Sequence, residues 1–276
     1  MAYPTVSAPY GLKPINLIGG QVFAGSTRMY NITYAYATDI FYGDFVALVR
    51  GNLERIGVTA GAAGTLVGIF LGCSYTNPTT KQKQFSQYWP ASTTAGDAVA
   101  YVCDDPDTVF QAAICSSGTT IASGARAMIG QNLECLNNTG NANTGNSANA
   151  LLAPTATPLT TATFPIRVIG VVPETAVSLG TATFSSISTA TVTCSALPFA
   201  LPVGTDVGSI AANGQYIPSG SFVATAANAG ATTVVLNQAP SAAFAASATL
   251  VFNQYPELLV KLNFGQHEYY AGLATA

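Results

Sequence analysis

The chain has 276 residues, of which 49% are hydrophobic but only 8% charged, with nine Lys+Arg, 12 Asp+Glu and a formal net charge of −3. Ordinary soluble domains carry roughly 25% charged residues; here Ala, Thr, Ser, Gly and Asn stand in their place, and 13 Tyr with 13 Phe exclude a disordered chain. Basic residues scattered singly exclude a nucleic-acid partner, which needs clustered Lys and Arg, and so little charge fits a chain held in an assembly or one with a neutral hydroxyl and amide surface.

Residues 1–14 hold Pro4, Pro9 and Pro14 with Tyr3 and Tyr10 among them. Proline bars a helix and discourages a central strand. The segment reads either as an extended arm laid along another subunit by aromatic anchors, or as a disordered tail. It has no charged region followed by an apolar run, so no secretory signal is expected.

Helical periodicity is nearly absent beyond the arm. Short β-branched and aromatic runs punctuated by Gly, Pro, Asn and Asp recur instead, the pattern of an all-β chain. Strands are predicted over Met29–Tyr36, Phe41–Val49, Leu66–Leu71, Gln84–Trp89, Ala98–Cys103 and Thr108–Ile114, and over Ile166–Val172, Thr233–Leu236, Ala248–Phe252 and Leu258–Phe264. A short helix is expected near Ile121–Ile129. Tyr30, Tyr34 and Tyr36 share one face at period two, and that face is either core or interface.

Ile56–Tyr75 carries no charge and is long enough on paper to span a bilayer. Five glycines interrupt it (Gly57, Gly61, Gly64, Gly68 and Gly72), so it reads as a loop entering a buried strand. No membrane partner is expected. Tyr42-Gly-Asp-Phe-Val-Ala-Leu48 and Ala95-Gly-Asp-Ala-Val-Ala-Tyr101 echo each other as turns that launch strands, which gives Asp44 and Asp97 structural roles. Residues 136–160, rich in Asn, Thr, Gly and Ala, read as a long surface loop.

From Thr175 to Pro256 the only charged residue is Asp206. Charge returns in Glu257-Leu-Leu-Val-Lys-Leu-Asn-Phe264, whose alternation matches the earlier region. The economical organisation is an extended arm (1–14), a docking β domain (15–174 plus 257–276), and an inserted, projecting β module (175–256). The expected fold is all-β: a β-barrel or β-tulip-like domain with that insertion and the N-terminal arm.

Catalysis fails on inventory. There is one histidine, His267, and no nucleophile elbow, P-loop, dinucleotide fingerprint or zinc-helix motif, so the chain is expected not to be an enzyme and to need no cofactor. Five cysteines lack metal-ligand spacing, and their odd number rules out complete pairing within one chain; they read as small buried apolar residues. The one acidic cluster is Asp104-Asp105-Pro106-Asp107. Two readings of it stand: a tight turn between two strands, or a weak calcium site built from Asp104, Asp105 and Asp107.

Four stretches carry a resemblance. Ala8-Pro-Tyr-Gly-Leu-Lys-Pro-Ile-Asn-Leu-Ile-Gly-Gly20, Ala37-Thr-Asp-Ile-Phe-Tyr-Gly-Asp44, Val67-Gly-Ile-Phe-Leu-Gly-Cys-Ser-Tyr75 and Phe85-Ser-Gln-Tyr-Trp-Pro90 resemble the decoration, or cement, proteins of tailed-phage capsids, those of cyanophages among them. The likeness covers roughly 8–174 and 257–270 and is one of phrase and order rather than of a diagnostic motif. Ile217-Pro-Ser-Gly-Ser-Phe-Val223 and Ala231-Thr-Thr-Val-Val-Leu-Asn-Gln-Ala-Pro240 resemble a short β module of phage tail and fibre proteins. The resemblance implies a virion protein, made in the host bacterial cytoplasm and seated on the outer capsid as a homotrimer or, less often, a dimer. There it would link major capsid subunits, with the arm as clamp and 175–256 as a knob. The capsid-interface candidates are Tyr3, Pro4, Pro9, Tyr10, Tyr30, Tyr34 and Tyr36. The competing reading is a head-fibre, tail-fibre or adhesin component in which 175–256 binds host glycans.

Overall fold

The computed structural model describes residues 6–56, 65–122, 124, 126–153, 162–201, 203–210, 217–218, 221–240 and 249–270. Among the described residues twenty strands occur in chain order. They begin with β1 (Lys13–Leu17), β2 (Arg28–Asn31), β3 (Phe45–Val49), β4 (Asn52–Arg55), β5 (Gly68–Thr76), β6 (Lys83–Ser86) and β7 (Val99–Cys103). The next are β8 (Thr108–Ser117), β9 (Thr120–Ile121), β10 (Asn132–Leu133), β11 (Cys135–Leu136), β12 (Ala150–Leu152) and β13 (Ile166–Val171). The last are β14 (Val177–Ser188), β15 (Thr191–Cys194), β16 (Asp206–Ile210), β17 (Val223–Thr225), β18 (Thr233–Leu236), β19 (Thr249–Gln254) and β20 (Glu257–Leu262). The protein is all-β: the helical segments among the described residues are single 3-10 turns. The helix expected near Ile121–Ile129 is one such turn, Arg126–Met128, following the short strand β9.

Three sheets form. The first is a small barrel with strand order β2-β7-β5-β3-β4, and β6 added to the far end of β5. It closes where Ile32, one residue past β2, bridges Leu53 of β4. Inside are Val46, Leu53, Phe70, Tyr75, Trp89, Ala100 and Val102. The Trp89 ring meets Tyr75 edge-on at 5.4 Å and its Nε1 donates to the Tyr36 carbonyl at 3.4 Å, so the one polar atom of a fully buried indole has a partner. β5 is buried along almost its whole length, as its lack of alternation predicts.

In the second sheet β8 is the spine. Its first half takes β1 on one side and β20 on the other, and its second half takes β12 in parallel on the β1 side and β9 on the β20 side. A shared core that includes Phe45, Ile69, Phe110, Ile114, Val168 and Val260 joins this sheet to the barrel. Fully burying one such side chain stabilises by about 1.5–3 kcal/mol.

The third sheet, β16-β19-β14-β15-β18-β17, is built only from residues 177–254 and has its own core around Val192, Val223, Val234 and Phe252. It too closes, where Phe222 bridges Asp206. The chain leaves for it after β13 and returns into β20, and those two strands are antiparallel partners, with Val171 opposite Leu258. β14 then pairs with β19 from Val177 opposite Gln254, so the exit and return strands run on as one two-stranded stem.

Two elements differ from expectation. The strand predicted over Met29–Tyr36 stops at Asn31, because Ala35 takes a left-handed φ of 54° inside a turn. Tyr34 and Tyr36 therefore do not continue the strand face of Tyr30. The surface loop expected over 136–160 is instead folded through residue 153: β11 and β12 pair, and Asn141 bridges Asn146. The remainder of that loop, 154–161, lies outside the described residues.

Candidate functional site

Tyr3 and Pro4 lie outside the described residues. Of the other interface candidates, Pro9 is buried, Tyr10, Tyr30 and Tyr36 are half-buried, and Tyr34 alone is largely exposed, at 63%. The arm meets its own chain early. The Tyr10 hydroxyl bonds the buried Glu257 carboxylate, whose other oxygen accepts from Gln111 Nε2 at 2.9 Å. Gly11 N donates to the Asn149 carbonyl and Leu12 N to the Gly43 carbonyl. A Cβ on Gly11 would stand 2.7 Å from that Gly43 oxygen, so glycine is required at this crossing of two backbones. From Pro9 onward the expected free arm is thus part of the fold, and β1 begins within it.

Tyr30 belongs to a cluster around the acidic turn. Asp104, at the end of β7, receives the Tyr30 hydroxyl at 2.9 Å, the Tyr269 hydroxyl, and Arg28 Nε at 2.8 Å. Asp105 Oδ1 accepts the Asp107 N–H at 2.9 Å, the bond of an Asx turn, and Asp107 pairs with Lys261 at 3.1 Å. The three carboxylates thus point to separate partners. Among the described residues no group of three His, Cys, Asp or Glu side chains is placed to hold a metal ion. Of the two readings of this cluster, the geometry is that of the turn between β7 and β8.

His267 is buried behind the same turn. Its Nδ1 accepts from Tyr269 N at 3.2 Å, which leaves Nε2 as the protonated nitrogen, donating to the Asp104 carbonyl at 3.0 Å. Burial lowers its pKa, so the ring is held neutral; hydrogen bonds to the Asp104 and Val67 backbone oppose the shift. Next to it, Glu268 takes the Leu48 N–H on both carboxylate oxygens, and burial raises its pKa. Residues 264–270 therefore tie together β2, β3, the strand entry at Leu66 and the acidic turn.

A second buried network fixes the Asn-rich segment. Asp44 accepts the Phe41 N–H at 2.9 Å and the Ser147 hydroxyl at 2.5 Å. Arg55 Nε lies 3.0 Å from Asp44, an ion contact too far out of line to count as a hydrogen bond. The Nη2 of Arg55 donates to Asn149 Oδ1 at 3.1 Å. Burial raises the Asp44 pKa against the opposing pull of Arg55. Asp97, its counterpart in the repeated phrase, works differently. It is exposed, accepts from Thr76 N and Oγ1, and pairs with Lys83 at 2.9 Å, so its carboxyl is held well below the usual range.

All five cysteines are buried and free, and burial pushes the Cys73 thiol up to about 12 and those of Cys103 and Cys115 up to about 11. They are inert as nucleophiles near neutral pH. Among the described residues no helix is long and apolar enough to cross a membrane.

Exposed aliphatic side chains also gather away from the candidate tyrosines. Ile15, Ile18 (52%) and Val22 (81%) are exposed within eight residues, on β1 and the turn that follows it. That turn folds back as Leu17 N donates to the Gln21 carbonyl and Asn16 bridges Val22. Ile15 is the extra residue at a register shift in β1. Composition hides this edge, since aliphatic residues around Gly19-Gly20 look like core. The available signal is that the Gly-Gly pair marks a turn, where neighbouring side chains tend to be exposed. Comparison with family models, with curated proteins and with solved structures finds no match to this chain.

Proposed function

We propose that this chain is a virion structural protein, a capsid decoration or cement protein that binds the outer surface of the major capsid shell and stabilises it by linking neighbouring subunits. The observation that carries the reading is the exposed aliphatic edge of Ile15, Ile18 and Val22. It lies just beyond the segment that the resemblance assigns to shell contact. Clustered exposed aliphatic side chains mark interaction sites more often than they mark open surface.

The treatment of charge supports the same reading. Asp44 with Arg55, Asp104 with Arg28, Asp107 with Lys261, and Asp97 with Lys83 are paired within the chain, and Glu257 and Glu268 are hydrogen-bonded internally. Lys13, Arg50, Lys81, Arg167 and Glu174 stay exposed, but contacts made through the uncharged surface between them are not screened by salt. A shell bound this way keeps its decoration across a wide range of ionic strength.

The test is a sedimentation assay of purified protein with expanded empty capsids, repeated across salt concentrations. Wild type binds with affinity that changes less than about threefold between 50 mM and 500 mM salt, since the Debye length affects only charged contacts. Ile18→Lys with Val22→Lys places two charges in the contact and weakens binding at least about a hundredfold. Full binding by the double variant overturns the assignment of the edge. Absence of wild-type binding overturns the function.

A further inference from the structure

The outward face of the first barrel has a hole in its side-chain cover. Met29 on β2 stands opposite Tyr101 on β7, Tyr101 stands opposite Gly72 on β5, and Ser74 stands opposite Phe85 on β6. Directly paired residues, and those two apart on one strand, point to the same side of a sheet. These residues therefore share the side turned away from the barrel core, while Tyr30, Ala100, Cys73 and Val102 fill the interior from the alternate positions. Where the row reaches Gly72 there is no side chain. None fits: φ is +144° and a Cβ would stand 3.1 Å from the Ser86 carbonyl oxygen.

The result is an open pocket of about 490 Å³ at Gly72, lined by Tyr42, Leu71, Cys73, Phe85, Gln87 and Tyr101 among others. That volume lies in the range of small-molecule sites. No charged residue lines it, so it offers no partner to a charged group and favours a neutral occupant. Phe85 stands 77% exposed at its edge, a flat apolar ring held out into water.

The polar atoms at the rim favour one class of neutral occupant. The Gln87 amide donates its Nε2 to Asn146 Oδ1 at 2.7 Å, and its Oε1 has no partner among the described residues. The Tyr101 hydroxyl donates to Ser74 Oγ at 3.2 Å and keeps its own lone pairs. The rim thus offers acceptors beside aromatic faces. A pyranose has the complement, an apolar C–H face for stacking and hydroxyl donors around its edge. An aliphatic or phenyl anchor from a protein would cover the same acceptors and leave them without a partner.

We propose that the pocket over Gly72 binds one pyranose unit of a neutral glycan, with Phe85 as the stacking platform and Gln87 as a hydroxyl acceptor. The site lies on β5, β6 and β7 rather than on the β1 edge, and stands whether or not that edge binds a capsid. It also places sugar recognition in the barrel rather than in residues 175–256, where the competing sequence reading put it.

The experiment titrates isotope-labelled full-length protein with glucose, galactose, mannose, N-acetylglucosamine and their short oligomers, following amide shifts. At least one sugar is expected to give saturable shifts at Gly72, Phe85 and Gln87, with a Kd on the order of 1 mM. Phe85→Ala, a change at an exposed side chain, should weaken that binding at least about tenfold. Tyr34→Ala, at another exposed aromatic, should leave it unchanged. No saturable shift from any sugar overturns the proposal, as does undiminished binding by a folded Phe85→Ala protein. A wild type that ignores every sugar while Phe85→Ala weakens capsid binding makes the pocket a protein anchor, and the glycan assignment falls.

Discussion

Two buried ionisable residues show how single side chains are used here. Asp44 ties the turn before β3 to Arg55 on the adjacent strand β4 and to Ser147, 103 residues away in sequence. Asp44→Ala leaves the largely buried Arg55 cation without its carboxylate, and chemical denaturation should show a loss of about 3–5 kcal/mol. A loss below about 1 kcal/mol would mean that water replaces the carboxylate. His267 has a folded pKa lowered by burial, so the unfolded chain takes up its proton first. Its contribution to stability is complete above the unfolded value near 6.5 and is lost as pH falls through that value towards the lowered one. Glu268 and Asp44 are raised and act in the opposite sense, gaining relative stability as pH falls, so the net curve mixes signs. The clean observable is a difference. Between pH 7 and 5, His267→Gln should lose less stability than wild type in urea titrations, and parallel curves would contradict a buried neutral imidazole. The turn made by Asp44 was legible in the sequence and its bond to Phe41 N is that turn, but Arg55, Ser147 and the Asp104 carbonyl were not legible as partners, because only the fold brings them to Asp44 and His267.

Elements were read with uneven success for identifiable reasons. Runs rich in β-branched and aromatic residues, such as those of β5, β7 and β13, announce strands because those side chains fit a pleated, half-buried surface. β14, the longest strand, was missed: Ser-Leu-Gly-Thr-Ala-Thr has small and polar residues with little alternation, and its pairing with β19 and then β15 supplies the order. The break at Asn31 had no Gly or Pro to mark it, since Ala35 takes the left-handed conformation. The pocket over Gly72 depends on cross-strand register, which a single strand does not encode. At this scale the stem of β13–β20 and β14–β19 makes a prediction. Asp206, the lone charge of residues 175–256, is drawn towards Arg126 and Tyr255, and little else charged joins the third sheet to the rest. Replacing 177–254 with a short Gly-Ser linker between Ala176 and Tyr255, which keeps Tyr255 in the shared core, should leave cooperative unfolding, at a cost of no more than about 2 kcal/mol. Loss of the cooperative transition in calorimetry would show that the third sheet is needed for the others to fold.

For the whole molecule the scarcity of charge is the feature that sequence and structure share. The sequence pattern made the all-β class legible, since helical periodicity is missing throughout. It did not show where the few charges go. Most of the acidic side chains are paired or hydrogen-bonded within the chain, and the sparsely charged surface carries two distinct features, the aliphatic edge at β1 and the aromatic pocket over Gly72. Of the tyrosines chosen from sequence as interface residues, Tyr10, Tyr30 and Tyr36 are engaged in the fold through their hydroxyls, while Tyr34 is exposed. The most direct test of the shell-binding account is a density map of a virion that encodes this chain. It predicts copies on the outer capsid surface, bridging neighbouring major capsid subunits, with Ile15, Ile18 and Val22 turned towards the shell. Density confined to the tail, or particles without the chain, would contradict it.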